Sequence, residues 1–479
     1  MLNKIVLKVN KENFLLSYFV SIRTMIKENI FRAYDIRGIY PSEINENVSE
    51  LIGKGFGTFI GGPGKKLAVG RDVRLSSESL STSLINGLTS VGVDVLDLGV
   101  VPTPIVYFAI SHWNLDGGVV VSASHNPPEW NGFKLCREKA RLVGSGLGLE
   151  EVKKLIQNKN FKLSKKGNVV NRRDDILREY KAFIFNKVTL KRSFKVGIDP
   201  GNGSCSCIAK EILEKFGLNI KAINDTPDGK FPSRSPEPTE ESVSALKELV
   251  VKENLDFGVA FDGDCDRALF VDEKGNTLRG DIVLALFIRY FLKCGEKVVY
   301  EVSCTTAVED EIKSKGGIPI LTRVGHSFIL DKMISEKAKF GGEISSHLYF
   351  GDIYGLDDAI FSVLKVAELL SLREASLSQL VNELPKYETY RENFEIPDEY
   401  KFKVIEGIKE KLQKEGYNVI TIDGAKVVEK EGWFILRASN TLPQIKLTVE
   451  ARNKESLQEL TKFATEILFE VYKNIKNSY

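Results

Sequence analysis

The chain has 479 residues, too many for one hydrophobic core, so several domains follow from length alone. A composition of 43% hydrophobic and 28% charged residues excludes a disordered chain and a membrane-embedded one. The net charge of +2 provides no broad field for nucleic acid or anionic lipid, so an anionic ligand has to be met by local cationic clusters.

Residues 1–24 hold an apolar run from Phe14 to Val20 behind Lys4, Lys8 and Lys11. It is at the lower limit for a signal-peptide core, and no A-x-A cleavage pattern follows. The segment reads as an N-terminal extension, with Met25 as an alternative start. Downstream, one pattern occurs three times: apolar strand, polar loop, helix, glycine, apolar strand. The copies begin at Leu67–Gly70, Lys195–Asp199 and Lys297–Glu301. Their helices end near Ser90, Phe216 and Lys315, each before a glycine. These are βαβ units, which predict mixed or parallel sheets covered by helices. Their spacing is that of small α/β domains, not of a solenoid.

Within the first unit, Val119-Val-Val-Ser-Ala-Ser-His-Asn-Pro-Pro128 is an apolar strand running into a polar loop, where α/β sheets place their sites. Ser124 stands there with His125 and Asn126, and Asn131-Gly-Phe-Lys134 follows. The loop lacks the G-x-S-x-G form of an acyl hydrolase.

Phe261-Asp-Gly-Asp-Cys-Asp-Arg267 is the sharpest feature. In an extended segment alternate side chains share a face, so Asp262, Asp264 and Asp266 are expected to converge. Their mutual repulsion calls for a cation, and all-oxygen ligation favours magnesium, manganese or calcium. The spacing also suggests a calcium loop, but Arg267 stands where an EF-hand needs glycine. With only four histidines, a His-rich zinc or iron site is not expected. Six scattered cysteines without a CxxC pair suggest a reduced chain.

In the third unit Gly342-Glu-Ile-Ser-Ser-His347 puts Glu343, Ser345 and His347 at alternate positions, suited to sugar hydroxyls. The final hundred residues differ. The polar stretch from Tyr387 to Glu399 reads as a connection, Gln444–Glu450 alternates like a half-buried strand, and a helix closes the chain. Between them, Arg437-Ala-Ser-Asn-Thr441 joins a guanidinium to short hydrogen-bonding side chains, the makings of a phosphate clamp.

With Phe31-Arg-Ala-Tyr-Asp-Ile-Arg-Gly38 added, these motifs resemble the α-D-phosphohexomutase family, which includes phosphomannomutase/phosphoglucomutase and phosphoglucosamine mutase. The resemblance spans Phe31 to Arg452, with the motifs in family order. It implies an α/β fold of three similar βαβ-containing domains with mixed sheets, plus a smaller C-terminal α+β domain, around a central cleft. The divisions read as residues 25–171, 172–276, 277–386 and 387–479, carrying in turn the serine, metal, sugar and phosphate loops.

The implied chemistry is phosphoryl transfer between the 1 and 6 positions of mannose or glucose phosphate, through phosphoserine at Ser124 and a hexose 1,6-bisphosphate that also serves as activator. One Mg2+ would be held by Asp262, Asp264, Asp266 and Ser124. Catalytic positions are Ser124, His125, Lys134, Arg37, Arg267 and His326, with Lys134 the candidate base and its pKa expected to be depressed. Tyr34, Asn126, Glu343, Ser345, His347, Arg437, Ser439, Asn440 and Thr441 would bind substrate. Expected partners are small hexose phosphates, not nucleic acid or membrane, for a cytoplasmic monomer or small homo-oligomer. Ser346 replaces the second glycine of the family's sugar loop, and Ser303 stands where some relatives carry lysine. Phosphoglucosamine mutase is therefore the nearest alternative. A magnesium phosphatase would have no use for the Arg437 clamp, and a non-catalytic binder would be expected to lose the nucleophile or a ligand.

Overall fold

A computed structural model describes residues 26–439 and 442–477; the extension, the Met25 start, Asn440 and Thr441 lie outside them. Each βαβ repeat is present and its two strands pair in parallel. The first repeat comprises strand Lys66–Arg71, helix Ser77–Ser90 and strand Asp94–Val100. The second has Lys195–Asp199, Ala209–Lys215 and Asn219–Ala222, and the third Lys297–Glu301, Thr306–Ser314 and Ile318–Thr322. After the first two helices the chain reverses through Gly92 and Gly217, both at φ +85°, a conformation that L side chains resist.

A third strand joins each repeat in parallel: Gly117–Val121, Phe257–Phe261 and Phe340–Gly342. Each of these then turns back into an antiparallel partner, Trp130–Arg137, Ala268–Asp272 or Leu348–Phe350. The three reversals leave the strand ends that also bear the βα loops. They are the Ser124 loop, the aspartate loop and the Glu343–His347 loop. One topological position therefore carries a functional motif in every repeat.

The last unit is an antiparallel sheet with strand Gln444–Ala451 between Gly432–Ala438 and Glu388–Glu395, packed on helix Lys454–Asn477. The stretch read as a connection thus contains an edge strand. Only one side of Glu388–Glu395 is paired and its residues are largely exposed, so burial imposed no alternation on the sequence. The fold is α/β, with three related mixed-sheet units and a smaller α+β unit. A continuous apolar core runs through the first three, while the last has a core of its own. Among the described residues no helix is long and apolar enough to cross a membrane.

Candidate active site

Ser124 is buried at φ +50°, in the left-handed region, at the end of a run of β-branched residues that seats the preceding strand in the core. Its backbone N–H donates to Ser122 Oγ at 2.8 Å, which fixes the turn. Its hydroxyl donates to Asp262 Oδ2 at 2.9 Å and lies 3.2 Å from His125 Nδ1. Burial, together with the charges of Arg267 and Arg37, holds the His125 pKa well below its usual value, so that imidazole is neutral. Arg37 donates to Asn126 Oδ1 at 2.7 Å and to the Ala123 carbonyl at 3.2 Å, bracing the loop from the first strand of the sheet.

Asp262, Asp264 and Asp266 do converge, but not as an extended segment. Cys265 takes φ +66°, its N–H bonds the Asp262 carbonyl, and the resulting turn brings the three carboxylates together. Asp262 Oδ1 accepts the backbone N–H groups of Asp266 and Arg267 at 3.1 and 3.2 Å. Lys134 Nζ bridges Asp264 Oδ2 at 2.7 Å and Asp266 Oδ2 at 2.5 Å. Burial opposes ionisation of Asp266, yet Lys134 holds its pKa down; Asp262, desolvated and beside two like charges, is pushed well up. Three carboxylates so close do not all ionise unless compensated. Asp264 Oδ1 and Asp266 Oδ1 are also buried without a hydrogen-bond partner. The donor set fits a hard divalent cation.

Lys134 differs from expectation. Burial and Arg37 would depress its pKa, but Asp264 and Asp266 outweigh them and hold it above the ordinary value. The ammonium is charged. Cysteine usage also differs: a disulfide joins Cys205 to Cys265, whose Cα atoms are 5.3 Å apart, because the fold lays the aspartate loop on the turn Ser204–Cys207. That pairing spans 60 positions and left no mark in the spacing.

Arg267 connects this loop to the third unit. It pairs with His347 in an isolated antiparallel bridge, and its Nε donates to His347 Nε2 at 3.0 Å. His326 Nε2 and His347 Nδ1 both meet Asp357 Oδ2, at 2.8 and 2.9 Å. Glu343 accepts the Gly325 N–H at 3.1 Å and the Ser345 hydroxyl at 3.2 Å. Tyr34 reaches from the first unit to the Val324 carbonyl at 3.0 Å. Arg437 of the last unit lies 3.9 Å from Asp423, which in turn accepts the Val324 N–H. Ser439 Oγ accepts from Leu442 N. The expected residues of the first three units are linked by these contacts, and Arg437 reaches them through Asp423.

Sequence reasoning passed over the groups that hold these loops. Buried Arg74 donates to the carbonyls of Ser124, Asn126, Pro127 and Trp130 and is neutralised by Asp72. Arg234 does the same for the second unit, binding Asp199 and the Phe261 carbonyl. Thr103, at a helix start, donates its hydroxyl to Asp264 Oδ2 at 2.5 Å. A shared signal was present. Asp72, Asp199 and Glu301 follow or end the first strand of each repeat, and each accepts the backbone N–H two residues on.

Comparison with known proteins matches each of the four units. Family models of phosphoglucomutase/phosphomannomutase match in four parts: α/β/α domain I over residues 28–162, II over 177–275, III over 279–387 and the C-terminal domain over 392–467. The chain belongs to the phosphoglucomutase/phosphomannomutase family and is an enzyme of the phosphohexomutase class. It is 34% identical to a phosphoglucomutase/phosphomannomutase of Thermococcus kodakarensis, over 93% of this chain and 99% of that protein. It is 35% identical to a phosphomannomutase of Escherichia coli, covering 91% and 97%. A crystal structure of a family protein from Burkholderia thailandensis superposes with a TM-score of 0.86 at 31% identity, covering 93% and 98%.

Proposed function

We propose that this enzyme moves a phosphoryl group reversibly between O1 and O6 of mannose or glucose phosphate, through phosphoserine at Ser124 and a hexose 1,6-bisphosphate. The carrying observation is the Ser124 hydroxyl, 2.9 Å from Asp262 in a pocket of three converging carboxylates. Asp262, Asp264, Asp266 and a Ser124 phosphoryl oxygen would hold Mg2+. When bound, that ion supplies neutralisation of the phosphoryl oxygens during in-line transfer.

The remaining chemistry belongs to side chains. As the serine O–P bond breaks and a sugar O–P bond forms, the sugar hydroxyl loses a proton and Ser124 gains one. Neutral His125 is within 3.2 Å of Ser124 Oγ and can exchange that proton. Lys134, held charged by Asp264 and Asp266, would attract the phosphoryl oxygens. Glu343 and Ser345 present an acceptor and a hydroxyl suited to sugar hydroxyls, with His347 beside them, and Arg437 with Ser439, Asn440 and Thr441 would grip the resting phosphate. Enclosure protects the phosphoserine from water. A second reading, phosphoglucosamine mutase, draws on Ser346 and Ser303.

Intact mass of protein treated with glucose 1,6-bisphosphate should show one phosphate increment, mapped to Ser124. Ser124→Ala should lose the increment and on the order of 10^4- to 10^6-fold in kcat, the scale seen when a nucleophile is removed. Chelation should abolish turnover and Mg2+ restore it. Undiminished turnover in Ser124→Ala refutes the mechanism; a panel of hexose 1-phosphates ranks the sugars.

A further inference from the structure

We propose that Asp357 is a positioning residue whose single oxygen Oδ2 sets the ring orientation and tautomer of His326 and, together with Arg267, those of His347. Through His347 it also sets the placement of Arg267 beside the aspartate loop. The inference rests on the phosphoryl-transfer reading for its kinetic consequence, but its structural content stands apart from that reading.

Asp357 is wholly buried in a two-residue strand, Leu356–Asp357, opposite Tyr349. Its Oδ2 meets His326 Nε2 at 2.8 Å and His347 Nδ1 at 2.9 Å, while Oδ1 is buried without a hydrogen-bond partner. Both rings therefore rely on one oxygen. The proton positions follow from the neighbours. A guanidinium can only donate, so Arg267 Nε–H obliges His347 Nε2 to accept. The His347 proton then resides on Nδ1 and is donated to Asp357. His326 likewise donates Nε2–H to the same oxygen. If His347 took the other tautomer, its Nε2–H would face Arg267 Nε–H, donor against donor, and the bridge would break.

The surroundings restrain what Asp357 orients. The two imidazoles lie 4.8 Å apart, and His326 is flanked by Tyr107 at 5.8 Å and Tyr349 at 5.7 Å, rings that limit tilt but not rotation by 180°. A ring flip exchanges nitrogen for carbon at the hydrogen-bonding positions. Only a polar partner opposes it, and Asp357 is the shared one. Arg267 is tied to the metal-ligand loop by its backbone as well: its main-chain N–H binds Asp262 Oδ1, and its main-chain bridge to His347 adjoins the bond from Ala268 N–H to the Ser346 carbonyl. Nothing in Gly355-Leu-Asp-Asp358 announces this role.

The chain has only four histidines, so 15N-histidine labelling gives a readable two-bond nitrogen–proton spectrum. Wild type should show His347 protonated on Nδ1, with each of His326 and His347 in one defined state. Asp357→Ala should give mixed tautomers for His326 and His347 and leave His112 and His125 unchanged. It should lower kcat about 100-fold, with the hexose 1-phosphate KM within about threefold. Asp357→Asn, which keeps an acceptor oxygen without the charge, should show a smaller change of tautomer and lose about tenfold, on the scale of orienting partners in active sites. Unaltered tautomers in Asp357→Ala overturn the proposal whatever the activity, and so does altered tautomerism with kcat within twofold of wild type. If that variant does not fold, the Asn variant decides by the same two readings. Should wild type turn over no hexose phosphate, the phosphoryl-transfer reading fails while the spectra still judge the role of Asp357.

Discussion

Ser124, Cys265 and Ser346 are non-glycine residues with φ of +50°, +66° and +72°, one in each of the three reversals that carry the site. An L residue in that region costs about 1–2 kcal/mol relative to its ordinary conformations. Strain of this kind is tolerated where surrounding contacts over-determine the backbone. At Ser124 the return is a hydroxyl aimed at Asp262. At Ser346 the turn closes by Ser346 N–H to the Glu343 carbonyl and needs a positive φ, which glycine adopts without strain. Ser346→Gly should therefore stabilise the protein by about 0.5–1 kcal/mol in urea unfolding, the relief of φ less the added freedom of the unfolded chain. A loss of stability would show that the Ser346 side chain matters more than its backbone.

At the scale of elements, the serine and aspartate loops are each braced by a buried arginine on backbone carbonyls in addition to their own turn contacts. Arg74 and Asp72 are both fully buried and lie 3.0 Å apart. Removing the cation alone strands a buried carboxylate, so Arg74→Met should cost about 3–5 kcal/mol and release the serine loop. Asp72→Asn combined with Arg74→Met should recover part of that loss, as measured by a double-mutant cycle. Additive losses would mean that the pair is not coupled. The βαβ repeats were legible because apolar runs, polar loops and glycine stops recur with their period. The edge strand Glu388–Glu395 was not, since a strand with one neighbour and two wet faces lacks a period of two. The convergence of Asp262, Asp264 and Asp266 was legible too, although the turn producing it was misread as extended chain.

At the scale of the molecule, the first three units share a core and the fourth leans on the third. Trp433 and Ile435 pack on Val302, and Lys426 Nζ, over the Trp433 ring, donates to the Val302 carbonyl at 2.7 Å. Glu450 then caps the third unit's helix Thr306–Ser314 from outside, accepting Thr306 N–H at 2.8 Å and Oγ1–H at 2.6 Å. A carboxylate at a helix N-terminus also meets the helix dipole favourably. Glu450→Ala should cost about 1–2 kcal/mol and loosen the fourth unit, seen as a larger radius of gyration in X-ray scattering. It should raise KM for sugar phosphate more than it lowers kcat, because the Arg437 loop travels with that unit. Unchanged scattering and KM would place the control of that unit elsewhere.

The amino-acid order by itself determined the repeats and the motif-bearing reversals, because these depend on neighbours a few positions away. Tertiary structure alone decided that Arg74 would brace Ser124 across 50 positions and that Thr103 would reach Asp264 across 161. It likewise decided that Lys134 would be charged. Its protonation depends on carboxylates 130 and 132 residues distant, and on how far burial is outweighed by them. Chemistry can be read from residue types, but charge state and orientation are set by whatever the packed chain brings within a few ångströms.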